Sequence, residues 1–506
     1  VNVDAVVIGS GPNGLAAAIR LAEAGRSVVV LEASDRAGGA VRTEELTLPG
    51  FHHDVFSAVY PAGVASPVFA RMPLAEHGLE WVHPESCSAT PLPDGRAAPV
   101  LYRDVARTAA SLEEAGWAGD GEAWAAFAAP FLDSWEALRA TMLAGFPPVG
   151  GSLKLLRSMG PLGTLGFARL LGESSVGLAR RLFGGGDARA WLHGAAMHGD
   201  TPPGRAGSAI AAAYLNLLGH AVGWPSPRGG AGRLAEALVG YLESLGGEVQ
   251  MGARVESVSS SGGRVTGVCI AGGGTVGTEL VIADVMPDAL ARLGGDALAR
   301  WYRELIKRYI YGPATLKLDW ALDGPIPWSD PGVRGAGTVH VGGGEEELLD
   351  TIAVSGRGLP ERPFLLLGQQ TVADPTRAPE GKHTAWAYTH GPHDLAVWDE
   401  MATARQVERV EAQVERYAPG FRDRVLARHV LSPGDLQARN ANLVAGDVGG
   451  GSYVLRQVVF RPVPTLSPYR TPLKGLFLGS AAAFPGGAVH GVPGDAAARA
   501  ALRRWP

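Results

Sequence analysis

The stretch Val3–Glu32, VDAVVIGSGPNGLAAAIRLAEAGRSVVVLE, decides how the chain is read. Val3–Ile8 is an apolar run of strand length, and Ser27–Leu31 is a second. Between them Leu15, Ile19 and Ala22 recur at helical spacing, and Gly25 stands where a left-handed residue closes a helix. The turn out of the first strand is Gly9-Ser10-Gly11-Pro12-Asn13-Gly14. Gly9 permits the tight turn, Gly11 lets the backbone approach a pyrophosphate, and Gly14 lets the helix lie close to the sheet. The free amides and partial positive charge of the helix N-terminus favour a phosphate there. Glu32 ends the second strand, about 20 residues past Gly11, where a carboxylate accepts from ribose hydroxyls and repels a 2′-phosphate. Three glycines alone are a weak signal. With strand, helix, second strand and terminal acid in order, they specify a dinucleotide-binding βαβ unit.

The residues after Glu32 narrow the nucleotide. Ala33-Ser34-Asp35-Arg36-Ala37-Gly38-Gly39-Ala40-Val41-Arg42-Thr43 brings a second glycine pair followed by Arg and Thr. At the far end, Tyr469–Ser480 runs into Ala481-Ala482-Ala483-Phe484-Pro485-Gly486-Gly487-Ala488-Val489-His490-Gly491-Val492-Pro493-Gly494, ahead of a helix expected over Asp495–Arg503. These runs, with Pro227–Leu234, Ser432–Leu436 and Arg461-Pro462, resemble the phytoene-desaturase-related FAD-dependent oxidoreductases. That group is a branch of the amine-oxidase superfamily and includes retinol-saturase-like proteins. The resemblance covers both ends and the centre of the chain. It implies FAD as cofactor and an α/β fold, with an FAD-binding Rossmann-type domain interleaved with a second, α+β substrate domain. It also implies the cofactor contacts: Gly9, Gly11, Pro12, Asn13, Gly14, Glu32, Ala33, Gly38, Gly39, Arg42, Val255, Gly479, Ser480, Gly491 and Val492. In that scheme Arg42 and the Gly38-Gly39 backbone approach the second phosphate and the ribityl chain. The Val255 backbone meets the adenine, and the Val492 amide donates to the charge of a reduced flavin. Two positions depart from the family. Ala483-Phe484 replaces a Thr/Ser-His pair, and Ser480-Ala481 stands where the wider superfamily has a ribityl-binding Asp.

The interleaved plan gives residues 1–75, 226–286 and 440–506 to the FAD domain and 76–225 with 287–439 to the substrate domain. The first insert reads as mostly helical, a lid carrying Trp117, Trp124, Trp135 and Trp191. The second has strands at Ala314–Leu318, Phe364–Leu367 and Thr384–Tyr388, then a charged helix over Met401–Tyr417. Val249–Val258 and Val265–Ala271 alternate as a hairpin joined through Ser-Gly-Gly. Gly272-Gly273-Gly274 has no helix after it, so no second dinucleotide unit is expected.

Composition excludes several functions. A net charge of −5 argues against nucleic acid as a partner. The two cysteines, Cys87 and Cys269, form no C-x-x-C and fit a reducing, cytoplasmic setting. No set of residues has metal-ligand spacing, and no signal peptide is visible. Gly207–Trp224 is expected to be a buried helix rather than a membrane span, because Asn216 and His220 interrupt it. Leu153–Phe183 mixes apolar residues with five basic ones, the pattern of a lid or of a peripheral membrane contact. The expected chemistry is hydride movement between flavin N5 and a hydrophobic or polycyclic small molecule. The candidate acid–base residues are His490, His390 and Tyr388. The alternatives are an amine or amino-acid oxidase, a redox-neutral isomerase, and a flavin-binding protein without turnover. No motif names the electron acceptor.

Overall fold

Ala5–Ile8, Val28–Leu31, Val281–Ala283 and Leu476–Leu478 carry no polar side, so they suit only a sheet covered on both faces. The computed structural model, which describes residues 2–504, forms that sheet. Its five parallel strands run in the order Leu476–Leu478, Val281–Ala283, Ala5–Ile8, Val28–Leu31, Glu248–Gln250. The helices Pro12–Glu23, Gly232–Ser244 and Val492–Leu502 pack around it, the first against both of the others. Gly25, with φ +76, follows the first helix as expected.

Two expectations are corrected. Val249–Val258 is not one strand: Glu248–Gln250 joins the parallel sheet, and Val255–Ser261 opens a three-stranded antiparallel sheet with Arg264–Ile270 and Gly274–Gly277. The chain bends between them at Gly252, φ +66, where the amides of Gly252 and Ala253 donate to the carbonyls of Ser34 and Glu32. The closing helix begins at Val492, with Pro493 in its first turn, not at Asp495. A proline belongs in a first helical turn, where its missing N–H costs no bond.

The second large sheet has seven strands, in the order Val425–Leu431, Ala314–Leu322, His383–Gly391, Leu365–Gly368, Ala336–Val341, Ser86–Ala89, Val100–Leu101. All pairings are antiparallel except Ala336–Val341 with Ser86–Ala89. The 76–225 segment therefore supplies two strands as well as helices. One face of this sheet shows Leu316, Leu318, Trp320, Val339, Leu365, Leu367 and Ala387, packed with Val407, Val410 and Val414 of the helix Glu400–Tyr417. Each such aliphatic burial contributes about 1.5–3 kcal/mol. The other face meets a cavity.

Helices from 105 to 222 close that cavity from the opposite side. Ser208–Val222 is almost entirely buried, and no helix of the described residues is long and apolar enough to cross a membrane. Val149–Gly172 is kinked at Gly160, φ +68, where Pro161 follows. Residues 1 and 505–506 of the expected cofactor domain lie outside the described residues.

Candidate active site

The glycines expected to cradle a dinucleotide converge at the carboxyl end of the parallel sheet. A Cβ on Gly11 would lie 2.6 Å from Asp284 Oδ2, and one on Gly39 would lie 2.9 Å from Gly11 Cα. A Cβ on Gly14 would overlap the Gly9 carbonyl, and one on Gly494 the Asn13 carbonyl. The N-termini of the first and last helices thus meet the two glycine loops at one point, and Gly479 packs within reach of Gly494. Gly38 donates to the Ser10 carbonyl at 3.1 Å. Glu32 accepts from Ser10 N (2.8 Å), Ser10 Oγ (2.7 Å) and Ser34 N (2.8 Å), so its carboxylate also ties the two loops together. Arg42 Nη2 donates to Ser34 Oγ at 2.6 Å and to the Arg36 carbonyl. Val255 opens its strand two residues after Ala253, whose amide donates to the Glu32 carbonyl. Ser480 is buried, and its hydroxyl accepts from Ala482 N.

Asp284 is a residue of this region that motif reading passed over. It follows the strand Val281–Ala283, and its Oδ2 accepts from Gly14 N at 2.9 Å. Burial raises its pKa to about 7, and the Glu32 charge adds to the rise. The signal in the sequence was an acid directly after an all-apolar strand.

A cavity of about 510 Å³ adjoins this region. On one side lie Leu143, Phe146, Phe167, Leu171, Ile210 and Leu218 from the helices. On the other lie Thr315, Lys317, Thr338, Trp386 and Tyr388 from the seven-stranded sheet, with His198 and Asp200 nearby. The loop Gly486–Gly491 forms part of the wall. Gly486, Ala488, Val489 and Gly491 all have positive φ, and for a β-branched valine this is strained backbone of the kind found at working sites. Among the described residues the Ala488 and Val489 amides have no protein acceptor.

Within the loop, Val492 N donates to His490 Nδ1 at 3.2 Å. His490 is buried, and desolvation lowers its pKa to about 4. Its Nδ1 accepts from Val492 N, its carbonyl accepts from Ser66 Oγ at 2.6 Å, and the residue lines the cavity.

His390 lies behind the cavity wall, not on it. Its Nε2 is 3.1 Å from Asp200 Oδ1, and Thr315 Oγ1 is 3.4 Å from its Nδ1. Asp200 is on the wall and takes a left-handed conformation, φ 54. Tyr388 is on the wall too, its phenol kept protonated by burial and by the Asp200 charge. Lys317, 3% exposed, pairs with both oxygens of Asp319 at 2.5 and 2.6 Å. His53, lowered to about 3 by burial and by nearby Lys317 and Arg377, backs this pair as a neutral ring. Sequence reading missed Asp200 and Lys317. Asp200 sits in a turn with no motif, and Lys317 shows only as part of a strand's alternation.

FAD fits the groups present. Asn13 Oδ1 and Arg42 Nε are sealed from solvent without a protein partner, and the glycine cradle excludes side chains where a pyrophosphate backbone approach is needed. No group of three or more His, Cys, Asp or Glu able to hold a metal occurs among the described residues.

The comparisons agree with this geometry. A match to the flavin containing amine oxidoreductase family spans residues 13–501. The chain is 30% identical to the pyridine nucleotide-disulfide oxidoreductase domain-containing protein 2 of Rattus norvegicus, covering 99% of this chain and 93% of that one. It is 26% identical to a neurosporene-forming phytoene desaturase of Rhodobacter capsulatus, over 97% of this chain and 92% of the other. An oxidoreductase of Methanosarcina mazei has a similar fold, with a TM-score of 0.66 at 18% identity, covering 99% and 100% of the two chains. The chain belongs to the flavin containing amine oxidoreductase family and is an FAD-dependent oxidoreductase.

Proposed function

We propose that the protein is a dehydrogenase, desaturase or saturase acting on a hydrophobic or polycyclic small molecule held in the 510 Å³ cavity. The observation that carries this reading is a largely apolar cavity that meets the glycine-rich loops and holds one strained carboxylate on its wall. Bound FAD supplies the two-electron hydride chemistry. Gly9, Gly11, Gly14, Gly39, Asn13 and Arg42 hold its dinucleotide half, with Glu32 and the Ala253–Val255 segment around the AMP end. The loop Gly487–Gly491 offers the Ala488 and Val489 amides to its other end, beside Val492. Asp200 takes the proton that leaves the substrate beside the oxidised atom, and His390 holds that carboxylate in position.

The domain division belongs to this proposal. Residues 1–75, 226–286 and 440–506 form the cofactor unit, which the parallel strands support, and 76–225 with 287–439 form the substrate unit. A peripheral membrane contact is supported by Leu162 (85% exposed) and Leu165 (67%), on the same helix as the cavity-lining Phe167 and Leu171. Anaerobic mixing with a panel of polycyclic and polyene compounds tests the activity. Bleaching of the oxidised flavin band, or anaerobic re-oxidation of photoreduced flavin by an unsaturated member, is expected with at least one. Flavin-loaded protein that no member of the panel bleaches or re-oxidises overturns it.

A further inference from the structure

His198 and His340 form a pair that the proposed chemistry leaves unused. His198 belongs to the short turn Met197–Gly199 that follows the helix Gly186–Ala196, and it lines the cavity. His340 stands on the strand Ala336–Val341 and is buried. Their Nε2 atoms lie 2.9 Å apart, a hydrogen bond that joins the helical side of the cavity to the seven-stranded sheet. The Trp224 ring meets His198 at 75°, centroids 5.2 Å apart, and packs it in place.

Both rings are neutral at ordinary pH. Burial, with repulsion from His198, holds His340 well below the usual histidine range; burial, with repulsion from His390, lowers His198 to about 4. Two neutral imidazoles share such a bond in one of two ways: the ring with its proton on Nε2 donates, and the other keeps its proton on Nδ1 and accepts. The surroundings of His340 decide between them. Its Nδ1 is sealed from solvent with no protein partner, and a Cβ on Gly194 would lie 2.6 Å from it. The hydrogen that Gly194 carries in that direction therefore points at Nδ1. A proton on Nδ1 would be a buried donor aimed at a C–H, whereas a lone pair there accepts a weak contact from it. His340 thus keeps its proton on Nε2 and donates to His198, and His198 is left with its proton on Nδ1. Among the described residues nothing accepts from that nitrogen, and it is not one of the atoms sealed from solvent. His198 keeps part of its surface open on the cavity wall, so the N–H is available there.

We infer that His198 presents its Nδ1–H to the substrate as a fixed hydrogen-bond donor, and that His340 is the positioning residue that fixes it. The inference rests on the proposed use of this cavity as the substrate site. It complements Asp200, which ends the same turn: an ionised carboxylate only accepts, and this N–H only donates. The ligand group it calls for is a carbonyl oxygen, which accepts and brings no proton of its own. A site built to hydrogen-bond such a group discriminates steeply against the analogue that lacks it.

The test uses the flavin-loaded protein with its histidine rings isotope-labelled for magnetic resonance, and the variants His198→Phe and His340→Phe identify the two rings. The expected spectrum shows His198 protonated on Nδ1 and His340 on Nε2, both still neutral at about pH 5. In His340→Phe, His198 should pass to a mixture of tautomers while flavin absorbance and circular dichroism stay those of the wild type. The second readout uses the tetracyclic hydrocarbon androstane and its ketone as probes. The ketone should bind about tenfold more tightly than the hydrocarbon and shift the His198 signals, and His198→Phe should remove that preference while hydrocarbon binding stays. Should a Phe variant fail to fold, His198→Gln or His340→Gln identifies the ring, and the wild-type tautomers decide. His198 protonated on Nε2, a tautomer unmoved in His340→Phe, a preference that survives in His198→Phe, or binding of neither probe each overturns the inference. A ketone that binds through His198 and exchanges no electrons with the flavin upholds it and counts against the dehydrogenase reading instead.

Discussion

In the five-stranded sheet, every residue of Ala5–Ile8, Val28–Leu31, Val281–Ala283 and Leu476–Leu478 is buried, whereas the strands of the seven-stranded sheet alternate between an apolar face and a polar one. The first sheet shows no side chain to a ligand. Its work is done where the strands end, by backbone in glycine loops and by helix N-termini. The second turns Leu316, Leu318 and Trp320 toward the helix Glu400–Tyr417 and Thr315 and Lys317 toward the cavity. In the proposed function the first sheet holds the cofactor through backbone, and the second meets the substrate through side chains. Changes on the two sheets should therefore separate cofactor retention from turnover.

The largest separation is expected at Asp200. Asp200→Asn should lower kcat by about 10²–10⁴-fold, the range for loss of a general base, with flavin content unchanged. His390→Gln should act through the same carboxylate, with a smaller loss of kcat. An Asp200→Asn enzyme with wild-type kcat would sever the second sheet from the chemistry.

Asp284 tests the first sheet in the opposite way, through stability. Below the ordinary carboxyl pKa the group is neutral both folded and unfolded, so it contributes nothing. Above it the unfolded chain ionises while the folded protein keeps the proton up to about pH 7, so stability falls across that window. The penalty is complete above it. Asp284→Asn should match the wild type at low pH and exceed it at pH 8 by up to roughly 4 kcal/mol. Urea unfolding at the two pH values measures this, and parallel curves would mean that Asp284 does not carry the buried proton.

The same contrast explains what could be read from the sequence. The dinucleotide unit was legible because turn, helix and acid fall within Val3–Glu32 and because glycine has few other reasons to recur there. The closing motif was legible as a loop leading into the last helix, but the bond from Val492 N to the His490 ring was not, because it depends on the backbone turn between them. The polar face was hidden for another reason. Thr315, Thr338 and Tyr388 lie on three strands far apart in sequence, and each strand alone reads as ordinary alternation. Asp200 carried no local signal, since its partner His390 lies far along the chain and its strain appears only as a φ of 54°.

On the first sheet, Gly11→Val should weaken FAD binding by about 10- to 100-fold, from 1–3 kcal/mol of overpacking against Asp284. The flavin-to-protein absorbance ratio reads the loss, and circular dichroism checks that the fold survives. Full occupancy would show that the loop can move away from Asp284 and that the cradle is less tight than its geometry.

The smallest effect on the protein itself should come from the helix Val149–Gly172, which belongs to neither sheet but borders the cavity the second one lines. Leu162 and Leu165 are largely exposed, so replacing both with Ser removes little native packing, and stability should stay within about 0.5 kcal/mol. If these leucines enter a bilayer, each loses part of the 1.5–3 kcal/mol that full burial of such a side chain contributes, and binding to anionic vesicles should fall by about tenfold. Turnover of a substrate delivered in detergent should not change, because neither residue lines the cavity. Vesicle binding equal to that of the wild type would remove the membrane contact and leave the helix as a cover. Lost turnover in detergent would instead mean that the kink at Gly160 transmits changes in the outer leucines to Phe167 and Leu171 on the cavity wall.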